Sequence, residues 1–268
     1  MAEPSLQLGN GNWAVKSNNL LAYHKVVDNF YADELTFNRA STGTRVNADG
    51  LIEEAATNIA RVDYTNNASG QLLLEGQRTN LFLNSEPTAA EGASSNVSYA
   101  AFAWDIGFTN CVRYDGTTAY RYGATVSATT VCTISFFVRM DDLSEPMVGV
   151  GVGNDFRTVI GNVQLGTAVI DKVNLGNGIW RIKATETSSS ASLSNNGVRV
   201  LGNSGKAFRI VGWQIEEATY GTSYIPTSGT TVTRIQDASS TTGLSSVIGQ
   251  TEGVLYAKIA SFTNTSPI

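Results

Sequence analysis

The chain has 268 residues, enough to bury a full hydrophobic core in one or two domains, and its 42% hydrophobic content with a mean hydropathy of -0.07 excludes a disordered polypeptide. A net charge of -5, a pI near 5.0 and only 18 scattered Lys and Arg exclude a nucleic-acid groove, which needs clustered cations. No apolar run approaches the ~18 residues of a membrane-spanning helix, and Met1-Ala-Glu-Pro lacks the basic and apolar regions of an export signal, so neither a membrane nor export is expected.

The first 30 residues read as an extended N-terminal arm. Trp13 and Val15 stand among Gly and Asn, followed by Leu20, Leu21 and Tyr23, a set too small to form its own core and therefore expected to bury against a partner. Residues 31–89 read as a β-hairpin connecting unit. Asn47-Ala48-Asp49-Gly50 separates Thr44-Arg-Val46 from Leu51-Ile-Glu53, and Asn66-Asn-Ala-Ser-Gly70 separates Arg61-Val-Asp-Tyr64 from Leu72-Leu-Leu-Glu75; both loops carry the turn residues that permit positive φ. The Ser-, Glu-, Pro- and Ala-rich stretch from residue 84 to 98 reads as a boundary.

Residues 90–240 are predicted to form the main body. Short β-branched and aromatic runs bounded by Gly and Asn place strands over residues 130–139, 146–152, 156–164, 167–173, 178–184, 198–201 and 207–217, with no long helix. Cys132, Ile134, Phe136 and Val138 alternate with polar residues, the period of a strand with one buried face. Phe208 to Ile215 is apolar on both faces and is expected at the centre of a sheet. Cys111 and Cys132 are read as buried thiols acting as small apolar side chains. Residues 241–268 read as a linker with an apolar strand near residues 252–260, which resembles the first strand of a further, lectin-like domain.

A hydrolase needs a nucleophile with a base, two opposed carboxylates, or a metal with suitable ligands. His24 is the sole histidine and lies in the arm, and the pairs Glu53/Glu54, Asp141/Asp142 and Glu216/Glu217 are adjacent in sequence, which on a strand turns them to opposite faces. No enzyme activity, metal site or cofactor is expected. Arg39, Arg45, Arg61, Arg78 and Arg234 are read as structural arginines whose planar guanidinium groups pin loops onto carboxylates and backbone carbonyls, with Glu53, Glu54, Glu75, Glu216 and Glu217 as candidate partners. Recognition of an acidic sugar or a partner's carboxylate by Arg45 or Arg78 is the functional alternative. Tyr99, Phe102, Trp104, Tyr114, Tyr120 and Tyr122 crowd one stretch; Tyr99, Trp104, Tyr114, Tyr120 and Tyr122 are candidate glycan contacts, against core closure by Trp104 and about half of the rings.

Several phrases occur in a fixed order: Leu35-Thr-Phe-Asn-Arg-Ala-Ser41, Thr44-Arg-Val-Asn-Ala-Asp-Gly-Leu-Ile-Glu-Glu54, Leu72-Leu-Leu-Glu-Gly-Gln-Arg-Thr-Asn-Leu81 and Gly212-Trp-Gln-Ile-Glu-Glu217 leading to Gly221-Thr-Ser-Tyr-Ile-Pro-Thr227. This series resembles tailed-phage virion proteins of head and tail fibres and appendages, in which such phrases surround a jelly-roll of the carbohydrate-binding-module type. The opening Pro4-Ser-Leu-Gln-Leu-Gly-Asn-Gly-Asn-Trp13 is similar to the start of capsid-attached fibre proteins of crAss-like phages. Gly76 departs from the pattern, where proline is common. The resemblance covers residues 4–81 and 212–260. It implies an all-β protein, a jelly-roll β-sandwich preceded by the arm and the hairpin unit, serving as a head fibre subunit in the virion after assembly in the host cytoplasm. Trp13, Val15, Leu20, Leu21 and Tyr23 would then dock on the capsid or other virion proteins, and the sandwich would form a homo-oligomer, a trimer, in contact with host glycan. A tail fibre or spike component, or a non-catalytic carbohydrate-binding module, is the alternative.

Overall fold

The computed structural model describes residues 35–88, 97–115, 129–149, 153–160, 169–187 and 205–242, together with Ala124, Val126, Ser127 and the backbone of shorter strands elsewhere. The described residues are all-β, with no helix among them, and divide into two compact units. One runs to Gln77 and resumes at Arg234; the other spans Arg78–Thr233.

In the first unit the strands are β1 (Leu6–Gln7), β2 (Val15–Lys16), β3 (Asn19–Val26), β4 (Asn29–Glu34), β5 (Thr36–Asn38), β6 (Gly43–Val46), β7 (Ile52–Ala55), β8 (Val62–Asp63), β9 (Gln71–Leu72) and β22 (Ala238–Ser240). β3 carries β1, β2 and β4 in antiparallel pairing, with Leu6 opposite His24, Val15 opposite Leu20 and Leu21 opposite Glu34. Of the arm residues, Val15, Leu20, Leu21 and Tyr23 therefore lie on paired strands, whereas Trp13 lies outside the described residues. β6 and β7 form the hairpin expected from the Asp-Gly turn. Gly50 takes φ 81°, and the Asn47 carboxamide oxygen accepts from the amides of Asp49 and Leu51. β8 and β9 pair across the Asn66–Gly70 loop, and β5 pairs with β22. Leu35, Phe37, Ala60 and Val62 form a small core under Tyr64 and Leu72.

The second unit is a β-sandwich. Its larger sheet has β11 (Val97–Ala101), β12 (Asn110–Tyr114), β14 (Val131–Met140), β17 (Val169–Gly176), β18 (Ile179–Thr187) and β20 (Phe208–Glu216), ordered β11-β12-β20-β14-β18-β17 and antiparallel throughout. The smaller has β13 (Ala119–Tyr122), β15 (Phe156–Ile160), β16 (Val163–Gln164) and β19 (Val198–Gly202), ordered β13-β19-β15-β16. The chain crosses from one sheet to the other after β12, β13, β14, β16, β18 and β19, which is the jelly-roll manner of building two layers. β10 (Arg78–Asn80) pairs with β21 (Val232–Arg234), where the Thr79 and Thr233 hydroxyls meet at 2.8 Å.

Between the layers Phe156 of the smaller sheet packs on Phe136 and Phe208 of the larger, with ring centroids 6.0 and 4.8 Å apart. Trp213, Ile134, Val138, Ile182 and Ile210 fill the space around them with no exposed surface. Each such side chain contributes roughly 1.5–3 kcal/mol by leaving water. β20 is interior to its sheet, as its two-faced apolar pattern requires.

Two expectations are corrected. The alternation in residues 130–139 predicts one buried face, yet Thr133, Ser135 and Phe137 on the other face are also buried. The rings of Phe108 and Tyr224, from the loops over residues 102–109 and 217–227, cover Phe137 at 5.3 and 6.1 Å. A strand over residues 146–152 does not form in its described part. Asp155 accepts from the Met147 amide at 2.9 Å and donates its own amide to the Met147 carbonyl at 2.7 Å, so the backbone groups there close a loop with a single bridge at Val148.

Candidate functional site

In the first unit, three arginines, Arg39 from a phrase and Arg61 and Arg234 from the segments beside the phrases, meet the buried Asp237 and the largely buried Glu75. Arg39, Arg61 and Arg234 are at most 1% exposed, and the Asp237 side chain is fully buried. Asp237 pairs with Arg39 at 3.0 Å and with Arg61, accepts the Glu75 amide at 2.8 Å, and lies 3.6 Å from Arg234. Glu75 pairs with Arg61 at 2.9 Å and with Arg234 at 3.5 Å. The excess positive charge is spread over backbone carbonyls: Arg39 donates to Ser41, Ala55, Ala56 and Ile59, Arg61 to Thr44, and Arg234 to Gly76. Arg39 and Arg61 thereby tie the β6–β7 hairpin to Asp237, and Arg234 ties in the loop at Gly76. Asp237, the residue that unites the cluster, is absent from the carboxylates considered in the sequence, where no local pattern sets it apart.

Arg45 and Arg78 stand apart from the cluster. Arg45 faces its register partner Glu53 at 2.6 Å in a pair that is about one-third exposed, and Arg78 lies over the Tyr220 ring at 4.9 Å.

The remaining phrases form a second buried polar network, within the sandwich unit. The Asn80 carboxamide donates to the carbonyls of Trp213 and Ile225 and accepts from the amides of Phe82 and Ile215. Gln214 accepts the Ile225 amide at 2.6 Å and donates to Glu216 at 2.8 Å, and Glu216 also takes the amide and hydroxyl of Thr222. Burial nevertheless outweighs these bonds and raises the Glu216 carboxyl above the ordinary range. Ser85, Tyr224 and Thr227 complete the network: the Ser85 hydroxyl meets the Tyr224 phenol at 2.6 Å, and Ser85 and Thr227 exchange amide-to-hydroxyl bonds at 2.9 and 2.8 Å.

Several carboxylates outside these networks are also engaged. Glu217 accepts the Ser127 amide, Asp141 pairs with Arg113 and Arg209, and Asp155 caps the Met147 loop. Among the described residues no group of three or more His, Cys, Asp or Glu could hold a metal. Cys111 and Cys132 are fully buried free thiols whose pKa burial pushes up to about 11.

The aromatic stretch divides sharply. Trp104 is 4% exposed, its indole N–H donates to the Asn110 carbonyl, and its ring meets Phe102 edge-on. Tyr114 is fully buried and stacks on Phe208 at 4.5 Å. As glycan contacts these two are corrected, because neither ring presents a face to solvent. The side chains of Tyr120 and Tyr122 lie outside the described residues. Tyr99 is 41% exposed.

Tyr99 lines a groove of about 550 Å³ at the edge of the larger sheet. Tyr99 pairs with Val112 and Ala101 with Asn110, so Tyr99 and Asn110 share one face of β11–β12, a register step apart. The opposite wall comprises Asn84, Glu86, Pro87 and Thr88 with Pro226, Thr227, Ser228 and Thr230, held together from behind by the Asn84–Ser228 bridge, the Ser85–Thr227 bonds and the Gly229 amide on the Asn84 carboxamide. The groove thus offers one ring face, two carboxamides, several hydroxyls and one carboxylate, Glu86. Only Tyr99 of this set stands out in the sequence; the others are turn residues of ordinary composition.

No family model and no curated protein matches the chain. Among solved structures, the CBM22-1 xylan-binding domain of Xyn10C from Paenibacillus barcinonensis aligns at 14% identity and a TM-score of 0.28, over 54% of this chain and 96% of that domain.

Proposed function

We propose that this chain is a non-catalytic structural subunit of a tailed-phage virion, a head fibre whose N-terminal segment docks on the capsid and whose sandwich projects as a trimer. The observation that carries the reading is the use made of the shared phrases. Arg39 and Glu75, which lie in the phrases, are bonded to Asp237, Arg61 and Arg234 beside them, and Asn80, Gln214, Glu216 and Thr222 of the other phrases are bonded inside the sandwich, so the phrases that resemble virion proteins act as framework. A framework of this kind suits a protein that displays a body rather than one that turns over a substrate.

Deleting residues 1–30 in the producing phage and counting copies per particle by quantitative mass spectrometry tests it. Particles lacking the truncated chain are expected. Truncated protein retained at normal copy number sinks the docking role, and recovery of the full-length chain only with separated tails assigns it to a tail fibre instead.

A further inference from the structure

The Tyr99 groove gives the candidate glycan contact at Tyr99 a site with defined chemistry. Its volume falls within the roughly 300–1,000 Å³ of small-molecule sites. Glu86 is half-buried, and among the described residues its carboxylate makes no hydrogen bond or ion pair; burial alone acts on it and raises its pKa. A carboxylate kept partly out of water without a partner costs free energy unless a donor arrives. The side chains of Asn110, Ser228 and Thr230 line the same space and are likewise unengaged among the described residues.

The chemistry of the lining narrows the ligand. A tyrosine ring suits the apolar face of a pyranose, and a carboxylate beside carboxamides and hydroxyls suits a run of ring hydroxyls as donors and acceptors. Among the described residues no Lys or Arg lines the groove, so an acidic sugar would face Glu86 without a compensating cation. The described lining is equipped to hold a saccharide.

We propose that the groove is a binding subsite for a neutral saccharide, with Tyr99 as the stacking platform and Glu86 as the acceptor for adjacent ring hydroxyls. The inference does not rest on the virion reading: an occupied groove on a chain absent from particles, or an empty groove on a chain present in them, would separate the two.

The test is amide-resolved NMR titration of the full chain with neutral hexaoses of glucose, mannose and xylose, and with oligogalacturonate. At least one neutral hexaose at millimolar concentration should saturably shift the amides of Tyr99, Asn110 and Ser228, while oligogalacturonate leaves them unmoved. Tyr99→Ala and Glu86→Gln should each weaken that binding roughly tenfold, since stacking and a charged hydrogen bond each contribute about that factor. Both positions reach the surface, and unchanged shifts in the Trp213 region confirm that each variant folds. The proposal is overturned if none of the neutral hexaoses shifts the groove. Binding unaffected by both substitutions, or a lysine-rich peptide occupying the groove where no sugar does, would overturn it equally.

Discussion

Replacing Asp237 by alanine should unfold the first unit far more readily than any surface substitution. The carboxylate has no exposed surface and serves Arg39, Arg61 and the Glu75 amide at once. Without it, Arg39 would keep no ion pair among the described residues, Arg61 and Arg234 would keep Glu75 alone, and the Glu75 amide would lose its acceptor. Removing one partner of a buried ion pair costs about 3–5 kcal/mol because the other charge stays buried and uncompensated, which is comparable with the whole stability of many domains, about 5–15 kcal/mol. The comparison variant is Arg45→Ala, whose pair with Glu53 is 29% and 38% exposed; screening by water limits that loss to about 0–1 kcal/mol. Urea unfolding, combined with hydrogen exchange at the Tyr64 and Leu73 amides that bond to the Val46 and Arg61 carbonyls, reads the first unit directly. If the two variants shift the midpoint and the exchange equally, burial of the cluster is not what gives it its weight.

Other consequences concern single groups. Burial lifts the Glu216 carboxyl above its ordinary 4.5, so the stability this gives the protonated form is complete below that value and is lost as pH rises through the folded-state pKa. The stability of wild type relative to Glu216→Gln should therefore fall with rising pH in thermal unfolding, and a difference independent of pH would defeat the assignment. Gly212 holds φ +66°, and a Cβ there would sit 2.5 Å from the Phe137 ring, so Gly212→Ala should cost about 2–5 kcal/mol in chemical unfolding. Gly50→Ala meets no atom within 4 Å and should cost only about 1–2 kcal/mol; equal losses would show that the contact with Phe137 is immaterial. Cys111 and Cys132, fully buried and with pKa near 11, should resist alkylation at mildly alkaline pH until the protein is denatured. Rapid labelling of the native protein would contradict that.

The strands were readable wherever the pattern is local. Period-two alternation marks residues 131–140, a two-faced apolar run marks 208–216, and Asp49-Gly50 marks the first hairpin, because each depends on neighbours in sequence. What depends on distant residues was not readable. Asp237 looks like any turn aspartate until the fold carries it to Arg61, 176 residues away. The second face of β14 is buried only because Phe108 and Tyr224 arrive from two remote loops. For the same reason composition could not separate the exposed ring of Tyr99 from the enclosed rings of Trp104 and Tyr114. The groove was hidden too, since its walls come from residues near 86, 99, 110 and 228, and each carries its group on a segment with no distinctive pattern.

The polar network of the sandwich also bears on how rigid that groove is. Glu86 follows Ser85, whose hydroxyl and amide are both committed to buried bonds with Tyr224 and Thr227, and Pro87 restricts the backbone on the other side. On the facing segment, Thr227 is fixed by the same bonds and precedes Ser228. Fully satisfied buried networks hold their members in one arrangement, and a binding group that is already ordered loses less entropy when the ligand arrives. Ser85→Ala touches no part of the groove, yet it removes the acceptor of the Thr227 amide and the partner of the Tyr224 phenol, at about 1–3 kcal/mol for each group left unsatisfied. Faster hydrogen exchange at the Thr227 amide is therefore expected, with greater mobility at Glu86 and unchanged protection of the Ile134 and Ile182 amides deeper in the sheet. If exchange at Thr227 is unaltered in that variant, the wall is held by its Asn84–Ser228 and Gly229 contacts alone, and the buried hydroxyls play no part in ordering Glu86.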